Sequence, residues 1–323
     1  IDKIGYASDL SSIDQVLNSG KCLKPNKYKF LKADITNFSQ LRKVIEISNP
    51  DYVINFAAES HVDRSIEEPK AFIENNIIGT FNLLEILKSH FSKLSNERQK
   101  SFRFHHISTD EVFGSLGKEG YFSESSIYDP RSPYSASKAS SDHLVTAWHH
   151  TYGLPTLITN CSNNYGPWQF TEKLIPLVII RALQGKSIPL YGDGSNIRDW
   201  LFVEDHIDAI FSVLGKGKIG HKYCIGGFGE KTNKEVVNLI CIYLDQVLPK
   251  ENSYGELIKS VRDRPSHDKR YAIDSQKIRN EIGWNPQFTF EEGLKKTINW
   301  YITNQRWCAE MKSKSGYNCE RLG

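Results

Sequence analysis

The chain has 323 residues, 39% of them apolar and 11% aromatic, enough to bury a large core in one large or two modest domains. Forty-one Lys and Arg against 38 Asp and Glu leave a formal charge of +3, too balanced for a nucleic-acid-binding face or an anionic membrane partner. No stretch reaches the roughly 20 apolar residues of a membrane helix, since the longest, Leu174–Leu183, is interrupted by Arg181.

In chain order, residues 28–33, 52–58, 102–107 and 156–159 are short β-branched or aromatic runs, which predict strands. Between them, 39–48, 69–91 and 133–152 are amphipathic and helix-length; the last opens at Ser132-Pro133 and stops at Gly153. This alternation predicts an α/β fold, a doubly wound parallel sheet with helices on both faces. Beyond residue 165 the chain turns to loops rich in Pro and Gly, a strand at 222–225, and helices near 232–248, 275–283 and 290–305. These suggest a smaller second lobe. The tail 309–323 shows little periodicity and is expected to be loosely attached.

The six cysteines, Cys22, Cys161, Cys224, Cys241, Cys308 and Cys319, form no CxxC pair and no metal-ligand cluster. Scattered thiols of this kind suit a reducing, cytoplasmic setting, and no metal is expected.

Ligands of open parallel sheets bind beyond the carboxyl ends of the strands. Those ends are polar here: Asp34-Ile35, Glu59-Ser60-His61, Ser108-Thr109-Asp110-Glu111, and Asn160 through Asn164. The sharpest local pattern is Tyr134-Ser-Ala-Ser-Lys138, where four residues on a helix make one turn. A nearby ammonium favours the ionised form of a phenol, turning Tyr134 into a usable proton acceptor. Alone, the pattern also describes an exposed helix surface. Likewise, Asp110-Glu111 alone also describes a solvated turn or a helix cap.

A doubly wound sheet with YxxxK after a strand ending in Ser/Thr resembles the extended short-chain dehydrogenase/reductases, a Rossmann-like family, with Thr109, Tyr134 and Lys138 matching the hydride-transfer residues. The segments 57–65, 106–112, 132–138 and 159–167 resemble the dTDP-glucose 4,6-dehydratases within it. So do Lys173-Leu-Ile-Pro176, Arg198-Asp-Trp200 and Asp263-Arg-Pro-Ser-His-Asp268, so that the similarity runs to about Trp307. The resemblance implies NAD as cofactor and removal of water from a nucleotide-activated hexose. Glu111 would be the base at carbon 5 and Asp110, kept neutral by a raised pKa, the acid at carbon 6. An epimerase needs no such pair, so these two acids favour dehydration over epimerase or decarboxylase chemistry on the same scaffold. A catalytically silent binding relative is the third reading, opposed by the presence of all five residues from Thr109 to Lys138.

For the cofactor the resemblance implies Asp2, Lys3, Ile4, Gly5, Asp34, Ile35, Phe56, Ala57, Ala58, Glu59, Asn75, Asn164, Tyr134 and Lys138. Asp2 would bond the adenosine ribose and repel a 2′-phosphate. For the nucleotide sugar it implies Ser60, Thr109, Asn163, Lys173, Leu174, Pro189, Tyr191, Arg198, Asn233, Arg264 and His267. Residues 1–165 would form the NAD-binding domain, with 200–228 returning to it, and 166–323 mainly the nucleotide-sugar lobe. Helices 69–91 and 133–152 would pair two subunits through a four-helix bundle. The first strand and glycine-rich turn of the Rossmann unit are absent, because Ile1-Asp2-Lys3 matches the end of the second strand; the expectation is that the numbering starts inside a longer protein.

Overall fold

In the computed structural model, residues 1–19, 24, 27–263 and 267–315 are described. Its strands are β1 (Tyr52–Asn55), β2 (Arg103–Thr109), β3 (Thr156–Cys161), β4 (Asn163–Tyr165), β5 (Ile188–Tyr191), β6 (Ile197–Arg198), β7 (Trp200–Phe202), β8 (Lys222–Ile225), β9 (Lys231–Thr232) and β10 (Ile258–Val261). Four of them make a parallel sheet in the order β1-β2-β3-β8, with Asn55 beside His106 and Thr109 beside Cys161.

Alternation along each strand sends neighbouring side chains to opposite faces. Phe104 and Ile158 pack with Leu41, Ile45, Leu84, Leu87 and Val145 from the helices Phe38–Ser48, Gly79–Phe91 and Pro133–Tyr152. Leu157, the neighbour of Ile158, joins Tyr223, Ile225, Ala209, Val213, Ile278 and Ile282 on the other face, under the helices Val203–Lys216 and Gln276–Ile282. Both faces are therefore dry, and each fully buried Leu, Ile or Phe contributes about 1.5–3 kcal/mol. A separate core gathers Tyr165, Val178, Ile179, Trp200, Phe202, Val237, Ile240, Leu294, Ile298 and Tyr301 around the apolar helix Leu174–Leu183.

The helix Pro133–Tyr152 has the predicted bounds. Ser132 and Ser135 exchange side-chain and backbone bonds at its start, and Gly153 at φ 68° closes its end. The helix predicted over 69–91 is interrupted by a π-helical segment, Ile73–Ile78, before continuing as Gly79–Phe91. Asn76 in that segment bonds both Glu59 N–H (2.8 Å) and Glu59 C=O (3.0 Å), while Nδ2 also reaches Ser137 Oγ (2.8 Å). The wide turn thus ties the helix to the loop after β1. Gly79 permits its close approach, since a Cβ there would lie 2.4 Å from Ile35 Cδ1.

Two expectations need correction. Residues 28–33 do not form a strand but a single parallel bridge, Lys32 to Asp2. A ladder needs a partner of matching length, and the Asp2 segment leaves the extended conformation at Ile4, where φ is 57°. The tail is not loose as far as it is described. Gln305–Ser315 is a helix whose Cys308 and Met311, three residues apart on one face, are buried. Trp307 Nε1 donates to Asp9 Oδ2 at 2.8 Å.

Candidate active site

The loops after β1, β2 and β4 meet in a crevice made of two cavities that share Ser60, Glu172 and Lys173. Lys173 Nζ closes the junction by donating to the Ser60 carbonyl at 2.8 Å.

The larger cavity, of about 450 Å³, is lined by Asp2, Lys3, Gly5, Asp34, Ile35, Phe56, Ala57, Ala58, Glu59 and Asn75 among others. Asp2 Oδ1 accepts from Ile4 N (2.6 Å) and Ser8 Oγ (2.9 Å), and Oδ2 has no donor among the described residues. That free carboxylate oxygen at the rim fits a ribose diol. Lys3 Nζ pairs with Glu59 (3.2 Å) and donates to Asn75 Oδ1 (2.8 Å), which gives Asn75 a protein partner. Of the residues expected to touch cofactor, Ile4, Tyr134, Lys138 and Asn164 do not line this cavity. The Asn164 amide instead donates to Ser162 O and Cys161 Sγ, and its Oδ1 is buried with no hydrogen-bond partner among the described residues.

The smaller cavity, of about 150 Å³, brings together Ser60, Glu111, Asn163, Lys173, Leu174, Pro189, Tyr191, Arg198, Asn233 and His267, with Trp200 and Tyr271. Arg198 is held by the carbonyls of Ile197 (2.7 Å) and Asp268 (3.0 Å) and lies over the Tyr271 ring at 4.3 Å. A planar cation fixed in this way is matched to a phosphate. Arg264 lies outside the described residues.

Thr109, Asp110, Tyr134 and Lys138 stand behind Glu111, all buried. The chain turns sharply there because Thr109 ends β2 and caps a single 3₁₀ turn, Asp110–Phe113, its Oγ1 accepting from Glu111 N at 3.2 Å. Thr109 also donates to Asp110 Oδ1 at 3.3 Å, whereas Asp110 Oδ2 has no hydrogen-bond partner among the described residues. Burial raises the Asp110 carboxyl well above the carboxylate range, and the charges of Glu111 and Asp199 add to it; the Arg198 guanidinium and the Thr109 bond oppose them less. The protonated form of Asp110 is thus favoured beside Glu111, which lines the cavity.

The Tyr134 phenol departs from expectation. Its ionisation is pushed well up by burial, then by Glu111 and Cys161, and only its hydrogen bond with Thr109 pulls down. Lys138, one turn away, directs its ammonium to the Ile107 carbonyl at 2.7 Å, so the spacing alone does not make a phenolate. Thr109 links Glu111 and Tyr134, its Oγ1 accepting from Glu111 N at 3.2 Å while its side chain bonds the Tyr134 phenol.

Three residues that the sequence reading passed over belong to this neighbourhood. Glu172, buried between the cavities, accepts from Tyr6 OH (3.2 Å) and Arg64 Nε (3.2 Å), and burial raises its pKa. Its position directly before Lys173-Leu174 was the available signal. Asp199 accepts from Gly227 N (3.2 Å) and Gly229 N (2.9 Å), and burial pushes its pKa up to about 6. Tyr271 carried no local signal.

The family model described as GDP-mannose 4,6 dehydratase matches residues 2–297. A dTDP-glucose 4,6-dehydratase of Shigella flexneri is 53% identical over 322 residues, spanning 97% of this chain and 88% of its own. Among solved structures, a dTDP-glucose 4,6-dehydratase of Bacillus anthracis in complex with NAD is 42% identical with a TM-score of 0.81, covering 96% of this chain and 89% of that one. The corresponding enzyme of Streptomyces venezuelae, with NAD and dTDP bound, is 40% identical with a TM-score of 0.85 and the same coverage.

Proposed function

We propose a division of catalytic labour for this chain, which belongs to the dTDP-glucose 4,6-dehydratase family and dehydrates dTDP-glucose with NAD as cofactor. The reaction transiently oxidises carbon 4, eliminates water across carbons 5 and 6, and returns hydride to carbon 6, giving dTDP-4-keto-6-deoxyglucose. NAD, when bound, supplies the hydride acceptor and donor for those two ends, and its cationic ring favours ionisation of a neighbouring phenol.

Tyr134 takes the proton of the carbon 4 hydroxyl, with Thr109 sharing the hydrogen bond and Lys138 supplying positive charge from the same helix. The resulting ketone acidifies carbon 5. Glu111, facing the cavity, removes the carbon 5 proton, and Asp110 gives its own to the carbon 6 hydroxyl, which leaves as water. One observation carries this reading: a buried carboxyl, Asp110, whose Oδ2 has no hydrogen-bond partner among the described residues, next in sequence to an acid that lines the cavity.

The larger cavity would hold the cofactor through Asp2, Lys3, Gly5, Asp34, Ile35, the 56–59 loop and Asn75, and the smaller one the nucleotide sugar, with Arg198 on the diphosphate. Residues 1–165, with 200–228 returning, would form the cofactor domain and the remainder the sugar lobe; the pairing of β8 with β3 supports that return. A homodimer through a bundle of helices 69–91 and 133–152 is proposed on the exposed Ile73, Ile78 and Phe81 of the first and Tyr152 of the second. The proposed setting is the cytoplasm, supported by four free cysteines among the described residues.

The test is incubation of the protein with dTDP-glucose and NAD. A 4-keto-6-deoxy product is expected, and release of a galactose epimer instead would refute the role given to Asp110 and Glu111. Sedimentation at equilibrium tests the dimer, which a concentration-independent monomer overturns.

A further inference from the structure

Behind Tyr134 and Lys138 lies a buried polar cluster that the division of labour above does not use. Asp142 is one turn beyond Lys138 on the helix Pro133–Tyr152, and the two are 1% and 4% exposed. Asp142 Oδ2 accepts three hydrogen bonds, from Ser108 Oγ (2.8 Å), Tyr128 OH (3.0 Å) and Asn160 Nδ2 (3.2 Å). Burial raises the pKa of the Asp142 carboxyl, and the Lys138 charge and these three donors, brought from β2, β3 and the loop before the helix, oppose it and favour the carboxylate. Its other oxygen, Oδ1, is buried without a hydrogen-bond partner among the described residues and lies 3.5 Å from His106 Nε2.

The hydrogen bonds assign the His106 proton. Asn55 Oδ1 accepts from Ala57 N at 3.2 Å, so Asn55 Nδ2 is the atom that meets His106 Nδ1, at 3.2 Å, and donates to it. Nδ1 is then the bare nitrogen and Nε2 carries the hydrogen. Ser141 Oγ donates to Lys138 O at 2.8 Å, which leaves it to accept from Nε2–H at 3.2 Å. Burial, reinforced by Lys138 and His105, keeps this ring uncharged. His106 therefore turns an N–H, not a lone pair, toward Lys138 Nζ at 3.5 Å. The ammonium retains one good acceptor, the Ile107 carbonyl.

The titratable groups around the pair are few. Lys138 faces Asp142 on its own helix, His106 from β2 and Cys161 from β3, whose thiol burial pushes up to about 12 and so keeps neutral. Asp142 also faces Tyr128, whose phenol is raised by burial and by Asp142 itself and stays a donor; beyond Tyr128 lie His143, Lys222 and Cys224. Among these groups Asp142 is the one carboxyl, and the Lys138 charge is the largest influence favouring its ionised form against burial.

We propose that Asp142 is the buried counter-charge of Lys138, a positioning residue that keeps the lysine protonated in its place beneath Tyr134 and acts on the reaction only through it. An ammonium without a counter-ion in this interior is strongly disfavoured by lost hydration. Burial lowers the Lys138 pKa, and the attraction of Asp142 is the largest influence opposing it. The inference rests on the catalytic role given to Lys138 above.

The experiment is a double-mutant cycle on unfolding of the cofactor-free protein, with Asp142→Asn, Lys138→Met and the pair, together with pH profiles of turnover. The destabilisation by D142N is expected to shrink by about half or more when Lys138 is already Met. The alkaline limb of kcat in D142N is expected to move down by about one pH unit, because the lysine gives up its proton more easily. Tyr128→Phe removes one donor from Asp142, lets the carboxylate protonate at higher pH, and moves the acid limb up. Should D142N not fold, Y128F and its cycle with K138M decide alone. Additive costs with unshifted limbs overturn the counter-charge. A K138M protein that turns over normally instead refutes the role of Lys138 itself, and the coupling would survive it.

Discussion

The state of Asp110 can be read from stability without any substrate. Asp110→Asn keeps the shape of the side chain and removes its ability to ionise. The wild-type carboxyl is 2% exposed, and burial together with Glu111 and Asp199 holds its folded pKa well above the ordinary 3.8. Between those two values the folded protein binds more protons than the unfolded chain, so wild-type stability falls as pH rises. The slope approaches 1.36 kcal/mol per pH unit, about a tenfold change in the unfolding constant. The Asn variant has no such slope at this position, so its advantage over wild type is expected to grow from about pH 4 upward and level off at the folded pKa. Urea midpoints of both proteins at several pH values measure this, since other titrating groups largely cancel in the difference. At the lower end, where both side chains are neutral, the two should agree within about 1 kcal/mol, the worth of the Thr109 bond. In turnover the variant has lost its acid, and water loss should slow by about 10²–10⁴-fold. A stability difference that stays flat from pH 4 to 8 would show an ordinary, ionised aspartate and refute the assignment of Asp110 as the acid.

Tyr134→Phe should abolish turnover and cost about 1 kcal/mol in stability through loss of the Thr109 bond; near-normal activity removes Tyr134 from the mechanism. Glu111→Gln should still oxidise the sugar, seen as ultraviolet absorbance of reduced nicotinamide, while water loss stalls; equal impairment of both steps contradicts the separate roles. Gly227→Ala places a Cβ 2.0 Å from the Trp200 carbonyl oxygen, a backbone atom that cannot rotate away. It should loosen the loop that Gly227 and Gly229 tie to Asp199, costing about 1–3 kcal/mol or more, read as a lowered thermal midpoint. An unchanged midpoint would show that the loop yields freely.

Much of this architecture was legible because it is written in local chemistry. Ser132-Pro133 and Gly153 bound one helix by capping and by positive φ, and the run Lys222–Ile225 was recognisable as a strand before its partner was known. What was not legible depends on partners. Residues 28–33 have strand-forming side chains but only the short Asp2 segment to pair with. The π segment arises because Asn76 must reach Glu59 and Ser137 at once, which no helical periodicity encodes. Met311 reads as an isolated residue in a polar tail until the surface it covers together with Cys308 is in view.

The same distinction explains the Tyr134 correction. Four-residue spacing constrains where two side chains leave a helix, whereas their ionisation depends on what else meets them there. The Ile107 carbonyl takes the Lys138 ammonium, and Glu111 and Cys161 face the phenol, so burial prevails over the helical neighbour. For Asp110 the same burial works in the direction the chemistry needs, since an acid must hold its proton until the carbon 6 hydroxyl leaves. One dry pocket therefore raises both groups. Burial favours the proton that the acid must keep, whereas the phenol needs additional positive charge before it can serve as a base, so an alkaline-shifted limb is expected for sugar oxidation.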